Sequence, residues 1–218
     1  MSASKLFHPS SHPGGHGITI GTPRLYDLSA PILFGGTRRR SYRRLLIAAG
    51  VKEGDRVLDV GCGPGYFARM LARAVGPQGS AVGIDAAPEM IEYAARKARR
   101  LANCSYQVGT AEALAFPDAS FDVVVTSLMM HHLPAEVRLQ AVQEMRRILR
   151  PGGTLLMADF AMPERGIWSL VAAITGHSSV RWRQRTTPLE PLVAEAGFTD
   201  QSSGHSPPLL HYVRATKT

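Results

Sequence analysis

Cysteine, acidic residues and long apolar runs are all scarce in this chain. Its 218 residues include two cysteines, Cys62 and Cys104, which form neither a C-x-x-C pair nor a framework of bridges. A disulfide-built scaffold is therefore excluded, and a reducing, cytoplasmic location is expected. No stretch reaches the ~18 consecutive apolar residues of a membrane span. The amino-terminal residues contain no apolar h-region, so export is not expected. There is no G-x-S-x-G and no Cys/His constellation, which leaves covalent nucleophilic catalysis without a candidate. His8, His12 and His16 recur at a helical spacing, yet Pro9, Pro13, Gly14, Gly15 and Gly17 forbid a stable helix there. No metal site is expected.

The shortage of acids leaves a formal net charge of +8. It is concentrated in Arg38-Arg39-Arg40 with Arg43-Arg44, Arg96-Lys97 with Arg99-Arg100, Arg146-Arg147 with Arg150, and Arg181 with Arg183 and Arg185. The clusters are scattered and lack interleaved aromatics, so a specific nucleic-acid partner is not expected. Most read as solvated helix faces, with peripheral contact with an anionic membrane or attraction of an anionic substrate as the functional alternative.

What is present is a glycine-paved turn. The run Val57-Leu58-Asp59-Val60-Gly61-Cys62-Gly63-Pro64-Gly65 reads as a buried parallel strand whose carboxyl end turns sharply into a helix and leaves its backbone bare to a ligand. The dinucleotide fingerprint G-x-G-x-x-G is not met, because the third glycine comes one residue early and Tyr66 takes its place. Asp59 also sets a carboxylate where it repels a diphosphate and suits an ammonium or sulfonium. A cation-bearing, phosphate-free nucleoside fits better than NAD. Twenty residues past Gly65, Ala81-Val82-Gly83-Ile84-Asp85 ends in a second acid, at the spacing of a carboxylate that accepts ribose hydroxyls.

The organisation is that of one α/β domain, long enough to bury roughly 70% of its unfolded-chain surface. Residues 1–22, rich in Ser, Pro, Gly and His, are expected to form a mobile tail, and 23–218 a single domain. A helical pattern over 26–49 is interrupted at Phe34-Gly35-Gly36. Strands are expected at 56–60, 81–85, 104–108, 121–126 and 154–159, with closing strands near 198–203 and 209–216. The helices expected between them are 66–75, 88–101, 134–149 and 188–196, with a short turn near 112–115. Pro151 cannot continue the third of these, and Gly152-Gly153 would supply its left-handed cap. Residues 161–187 change character, with an amphipathic stretch over 167–175. No internal repeat is present.

The chain resembles the class I S-adenosylmethionine-dependent methyltransferases, and within them the ubiquinone/menaquinone biosynthesis branch. The resemblance runs from about Tyr26 to about Phe160. It rests on Tyr26-Asp27-Leu28, the 57–65 turn, Gly83-Ile84-Asp85, Gly109-Thr110-Ala111-Glu112-Ala113-Leu114, Phe116-Pro117-Asp118, Phe121-Asp122-Val123-Val124, His131-His132-Leu133 and Leu149-Arg150-Pro151-Gly152-Gly153, in the family's order. It implies a Rossmann-like, doubly wound seven-stranded sheet of order 3-2-1-4-5-7-6, with strand 7 antiparallel and helices on both faces. It also implies that 23–50 folds over the cofactor as a lid and that 161–187 roofs the substrate pocket.

By the same resemblance, Tyr26 and Arg38 lie near the cofactor. Asp59, Gly61, Cys62, Gly63 and Gly65 surround its methionine part, and Asp85 takes the ribose hydroxyls. Ala86 and Met90 lie beside the adenine or ribose, Thr110, Ala111 and Glu112 meet the adenine edge, and Ser127 borders the methionine end. Thr110 departs from the family, which often has aspartate there. The implied reaction is methyl transfer from S-adenosylmethionine, releasing S-adenosylhomocysteine, to a small aromatic or hydrophobic acceptor of quinol or phenol type. N-methylation of an amine or phospholipid head group is the second reading, and a non-catalytic cofactor-binding module the third. A phenolic acceptor gains nucleophilicity from a general base. His131 and His132 follow the fourth strand, with His132 the preferred base, and Asp159 is a second pocket acid. The oligomeric state is left open.

Overall fold

The computed structural model describes residues 36–160, 188–208 and 210–218, together with residue 23 and the short antiparallel pair His8–Pro9 with Ile18–Thr19. Its centre is a seven-stranded sheet built from β1 (Arg56–Val60), β2 (Ser80–Asp85), β3 (Cys104–Val108), β4 (Phe121–Ser127), β5 (Leu149–Phe160), β6 (Thr199–Ser206) and β7 (Leu210–Thr216). The strand order is β3-β2-β1-β4-β5-β7-β6. β1 to β5 are mutually parallel, and β7 runs antiparallel to both β5 and β6. This is the Rossmann-like arrangement expected from the sequence.

Successive residues of a central strand serve opposite faces. In β1, Val57 packs with α1 (Arg38–Ala48) and α2 (Tyr66–Val75), whereas Leu58 and Val60 pack with α4 (Ala135–Ile148) and α5 (Leu189–Glu195). α3 (Pro88–Ala98) covers β2 and β3. Both faces of β1 and β4 are thus apolar and buried, which is why these strands read as continuous runs rather than alternations.

Two helix ends differ from expectation. α3 stops at Ala98 rather than 101 because the Leu101 N–H bonds to the Ala98 carbonyl at 2.7 Å and the Cys104 N–H to that of Leu101 at 3.2 Å, tightening the exit. α4 ends without a left-handed cap. Leu149 is already extended (φ −70°, ψ 138°) and pairs with Phe121 in the sheet. The terminal carbonyls a glycine cap would have satisfied are taken by Lys217, whose Nζ donates to the carbonyls of Arg147 (3.1 Å) and Leu149 (2.6 Å). Gly152, at φ +75°, falls instead in the irregularity between the Phe121–Leu149 and Val123–Thr154 pairings.

α1 is tied to the far edge of the sheet by two buried serines. Ser41 Oγ donates to the Pro207 carbonyl, and Ser206 Oγ donates to that of Ser41 at 2.9 Å. This fastening holds the helix over the carboxyl ends of the strands.

Candidate functional site

The site forms where β1, β2, β4 and β5 end, the position at which open parallel sheets bind ligands. The turn from β1 into α2 holds three glycines at positive φ, each for a different reason. A Cβ on Gly61 would collide with the Met129 side chain. One on Gly65 would sit 2.5 Å from Tyr106 Oη and 2.8 Å from Ala94 Cβ. Those two glycines are packing requirements. A Cβ on Gly63 (φ +51°) would meet nothing within 4 Å, so the space beside this residue is open to a ligand. Gly65 also opens α2 with no side-chain cap and no acid in the first turn, leaving the N–H groups of Tyr66 and Phe67 for a ligand's carboxylate.

Two carboxylates flank this turn. Asp85, at the tip of β2, accepts from the Gly63 N–H at 2.9 Å through Oδ2 and from the Ala87 N–H at 3.0 Å through Oδ1. Each oxygen keeps a lone pair for a hydroxyl donor. Burial raises its pKa, and these two amides oppose the rise.

Asp59 is 1% exposed, and neither of its oxygens makes a hydrogen bond among the described residues. Burial pushes its carboxyl up to about 7; the amide of Ala68, in the first turn of α2, opposes the shift, and the Asp85 charge adds to it. A buried carboxylate with only the Ala68 amide near it, and no side-chain partner among the described residues, is the kind of under-satisfied group that suits a cation. A nucleoside carrying an ammonium and a sulfonium supplies one, whereas a diphosphate supplies the wrong sign. The residues present fit S-adenosylmethionine.

Cys62 is buried between these acids, and burial followed by the Asp59 and Asp85 charges lifts its thiol well above the ordinary range. It fills space as an inert thiol.

Further along, the backbone N–H of Gly109 reaches the Asp85 carbonyl at 3.1 Å, holding the loop after β3 against the tip of β2. There Thr110 bridges to Ala113, and Ala111 and Glu112 are buried. The Glu112 carbonyl accepts from Gln140 Nε2 at 3.0 Å, while its Oε1 makes no hydrogen bond among the described residues. Met90 is buried on α3 and Ala86 half-buried just before it.

On the other side, Arg38 stacks over Tyr66 with its guanidinium carbon 3.9 Å from the ring centroid. Tyr42 packs edge-on against Tyr66 and Phe67, with centroids 5.4 and 5.0 Å away. The hydroxyl of Ser127 reaches Tyr42 Oη at 3.4 Å. Arg38 and Ser127 thus share one wall of the turn. Tyr42 and Tyr106 were not singled out by sequence reasoning. An aromatic at helical spacing or on an edge strand is indistinguishable from core until the turn it buttresses is in view. Tyr26 and residues 161–187 lie outside the described residues.

The second feature is a His–Asp pair. β4 exits through Leu128, held at φ +58° with its N–H bonded to the Ala158 carbonyl at 2.9 Å. A bulky residue in that conformation is strained, and such strain gathers at functional turns. The chain then forms a short 3-10 turn, Met130–His132. His131 Nδ1 lies 2.7 Å from Asp159 Oδ1, and its backbone N–H donates to Oδ2 at 3.1 Å. Asp159 also accepts from the Phe160 N–H at 2.8 Å.

Both side chains are almost closed to solvent. In the tautomer with its proton on Nδ1, the ring donates to the carboxylate and carries its lone pair on Nε2. The ring centroid lies 4.1 Å from that of His132 and 5.3 Å from that of Phe160. The acid is therefore joined to His131, the neighbour of the His132 preferred as base from sequence. The choice is set by how the turn docks on β5, which no local signal reports.

Among the described residues no His/Cys/Asp/Glu group could hold a metal ion, and no helix is long and apolar enough to cross a membrane.

Residues 57–153 match the methyltransferase domain family. The chain is 36% identical over 141 residues to the ubiquinone/menaquinone biosynthesis C-methyltransferase of Pasteurella multocida, covering 63% of this chain and 52% of that protein. It is 33% identical over 132 residues to the demethylmenaquinone methyltransferase of Staphylococcus aureus, covering 61% and 54%. The chain thus spans about half the length of these relatives. Its fold superposes on a crystal structure of a SAM-dependent methyltransferase from Aquifex aeolicus with a TM-score of 0.71 at 22% identity, covering 90% of this chain and 99% of that one. That likeness speaks for the fold alone.

Proposed function

We propose that this chain is a class I S-adenosylmethionine-dependent methyltransferase, supported by the match of residues 57–153 to the methyltransferase domain family, and that it methylates a small aromatic or hydrophobic acceptor of quinol or phenol type. When bound, S-adenosylmethionine supplies a methyl group already activated by its sulfonium, so no covalent nucleophile is needed. The chain's task is to hold, orient and deprotonate. Gly63 leaves open space beside it, Asp85 offers acceptors for hydroxyls, and Asp59 offers the negative charge that compensates a buried cation. Tyr42 and Tyr66, packed edge to face, form one wall of the turn.

The acceptor class rests on one observation, the His131–Asp159 pair at the ends of β4 and β5. A phenol near its ordinary pKa of ~10 is a poor nucleophile at neutral pH, and an imidazole with Nε2 free to accept removes its proton. Asp159 fixes the tautomer and stabilises the imidazolium that results. The names of the two relatives, a ubiquinone/menaquinone biosynthesis C-methyltransferase and a demethylmenaquinone methyltransferase, agree with this acceptor. Head-group or amine N-methylation stands as the second reading, favoured by the arginine-rich outer face of α1.

The test is product detection by mass over a panel of phenols, hydroquinones and amines, with thermal-shift titration of the same samples. Methylated phenol or hydroquinone is expected, with S-adenosylhomocysteine raising the melting temperature and NAD leaving it unchanged. Transfer to amines alone would move the acceptor to the second reading. Cofactor binding with no product on any acceptor would reduce the domain to a binding module.

A further inference from the structure

The outer face of α1 has no explanation among the described residues. Arg38, Ser41, Tyr42 and Leu45 point inward at helical spacing and are buried. The opposite face is Arg39, Arg40, Arg43 and Arg44, all exposed, followed one turn later by Ile47, which is 67% exposed. No acid stands in the helix, and among the described residues none of these four arginines has a carboxylate partner.

This arrangement breaks two local rules. Cations in the first turns of a helix oppose its dipole, and like charges three and four residues apart repel. The pairs Arg39–Arg43, Arg40–Arg43 and Arg40–Arg44 all do so. Unfavourable local choices that earn nothing inside the fold mark a surface meant for something else.

We propose that the outer face of α1 docks the domain on an anionic lipid bilayer. Four arginines on one face of a rigidly fastened helix complement a plane of negative head groups, and Ile47 on that face adds an apolar side chain at the depth of the acyl boundary. Nucleic acid is the lesser fit, since the face offers no ring for bases to stack on and phosphates give Ile47 no partner. The inner face of the same helix supplies Arg38 and Tyr42 to the wall of the cofactor turn. Docking would therefore bring the cofactor turn within one helix thickness of the membrane surface, where an apolar acceptor would be dissolved. That last link rests on the proposed acceptor class; the docking itself does not.

The experiment is co-sedimentation of the full chain, without cofactor or acceptor, with vesicles of phosphatidylcholine alone and of phosphatidylcholine containing phosphatidylglycerol. Binding to the anionic vesicles only is expected, with loss in roughly 1 M sodium chloride, where the Debye length is about 3 Å. Arg39→Gln, Arg40→Gln, Arg43→Gln and Arg44→Gln keep helix propensity, and each should weaken partitioning about fivefold. Ile47→Ser should weaken it further at unchanged charge. Absence of vesicle binding at low salt would overturn the proposal, as would full binding by the four-glutamine variant with an unchanged circular dichroism spectrum. Tighter binding to duplex DNA, insensitive to Ile47→Ser, would assign the face to nucleic acid instead. Because no methyl transfer is read, failure here leaves the proposed activity untouched, and failure of that activity leaves this result standing.

Discussion

Replacing His131 with alanine is expected to lower turnover on a phenolic acceptor by roughly 10²- to 10⁴-fold, the range a positioned general base contributes. The affinity for S-adenosylhomocysteine should stay within about threefold, because the ring lies on the β4–β5 side of the site while the cofactor turn joins β1 to α2. The expectation comes from geometry. His131 Nδ1 is held at 2.7 Å by a carboxylate that also binds the backbone of His131 and Phe160, so the ring has one orientation and one free nitrogen.

Asp159→Asn should lower turnover by at least about tenfold. An amide cannot accept from all three donors, and stranding one of them costs about 1–3 kcal/mol and loosens the ring. A control separates proton removal from mere positioning. An acceptor acidic enough to be ionised at the assay pH needs no base, and His131→Ala should methylate it nearly as fast as the unmodified protein. Equal losses on ionised and neutral acceptors would show that His131 only shapes the pocket. The same series on His132→Ala should show the smaller effect, because Asp159 supports the other ring.

The second large effect concerns Asp59. Its carboxyl is raised from the ordinary 3.8 to about 7, burial being the main cause. Below about pH 4 the group is protonated in both the folded and unfolded chains, and nothing is lost. Between about pH 4 and 7 the unfolded chain releases the proton while the folded chain retains it. Stability from this group then falls by up to about 4 kcal/mol and levels off above about pH 7.

The ligand-free protein should therefore melt progressively lower as pH rises through that window, relative to Asp59→Asn, in which this contribution is absent. The comparison is made by thermal or urea unfolding of both proteins at matched pH. A cation brought beside the carboxylate reverses the preference and expels the proton. Calorimetric titration with S-adenosylmethionine near pH 6.5 in buffers of different ionisation enthalpy should thus report proton release, and Asp59→Asn should abolish it. Parallel stability curves for the two proteins would place the Asp59 charge in contact with solvent or a partner, contrary to the structure.

Much of this was legible in the residues. β1 and β4 lie between two helical layers, so both of their faces are apolar, and such runs announce parallel strands without ambiguity. The turn was legible because glycine at alternate positions has few other uses. It took the structure to separate Gly63, which faces open space, from Gly61 and Gly65, which Met129 and Tyr106 demand.

Contacts formed across the chain left no local trace. The end of α4 was misread because its carbonyls are satisfied by Lys217, nearly seventy residues away. Which of the two adjacent histidines meets Asp159 is not readable from the sequence, because both sit in one 3-10 turn and the docking of that turn on β5 brings His131 to the acid. The closing hairpin and the edge order followed from family resemblance, since the strand Thr199–Ser206 is short of apolar residues and mostly exposed.

The central claim is that the 59–65 turn is a cradle for S-adenosylmethionine, and Gly63 tests it most directly. Asparagine tolerates left-handed backbone, and a Cβ there meets no protein atom within 4 Å. Gly63→Asn should fold and melt close to the unmodified protein while losing calorimetrically detectable S-adenosylhomocysteine binding. A variant that binds this nucleoside as tightly as the unmodified chain would contradict the account.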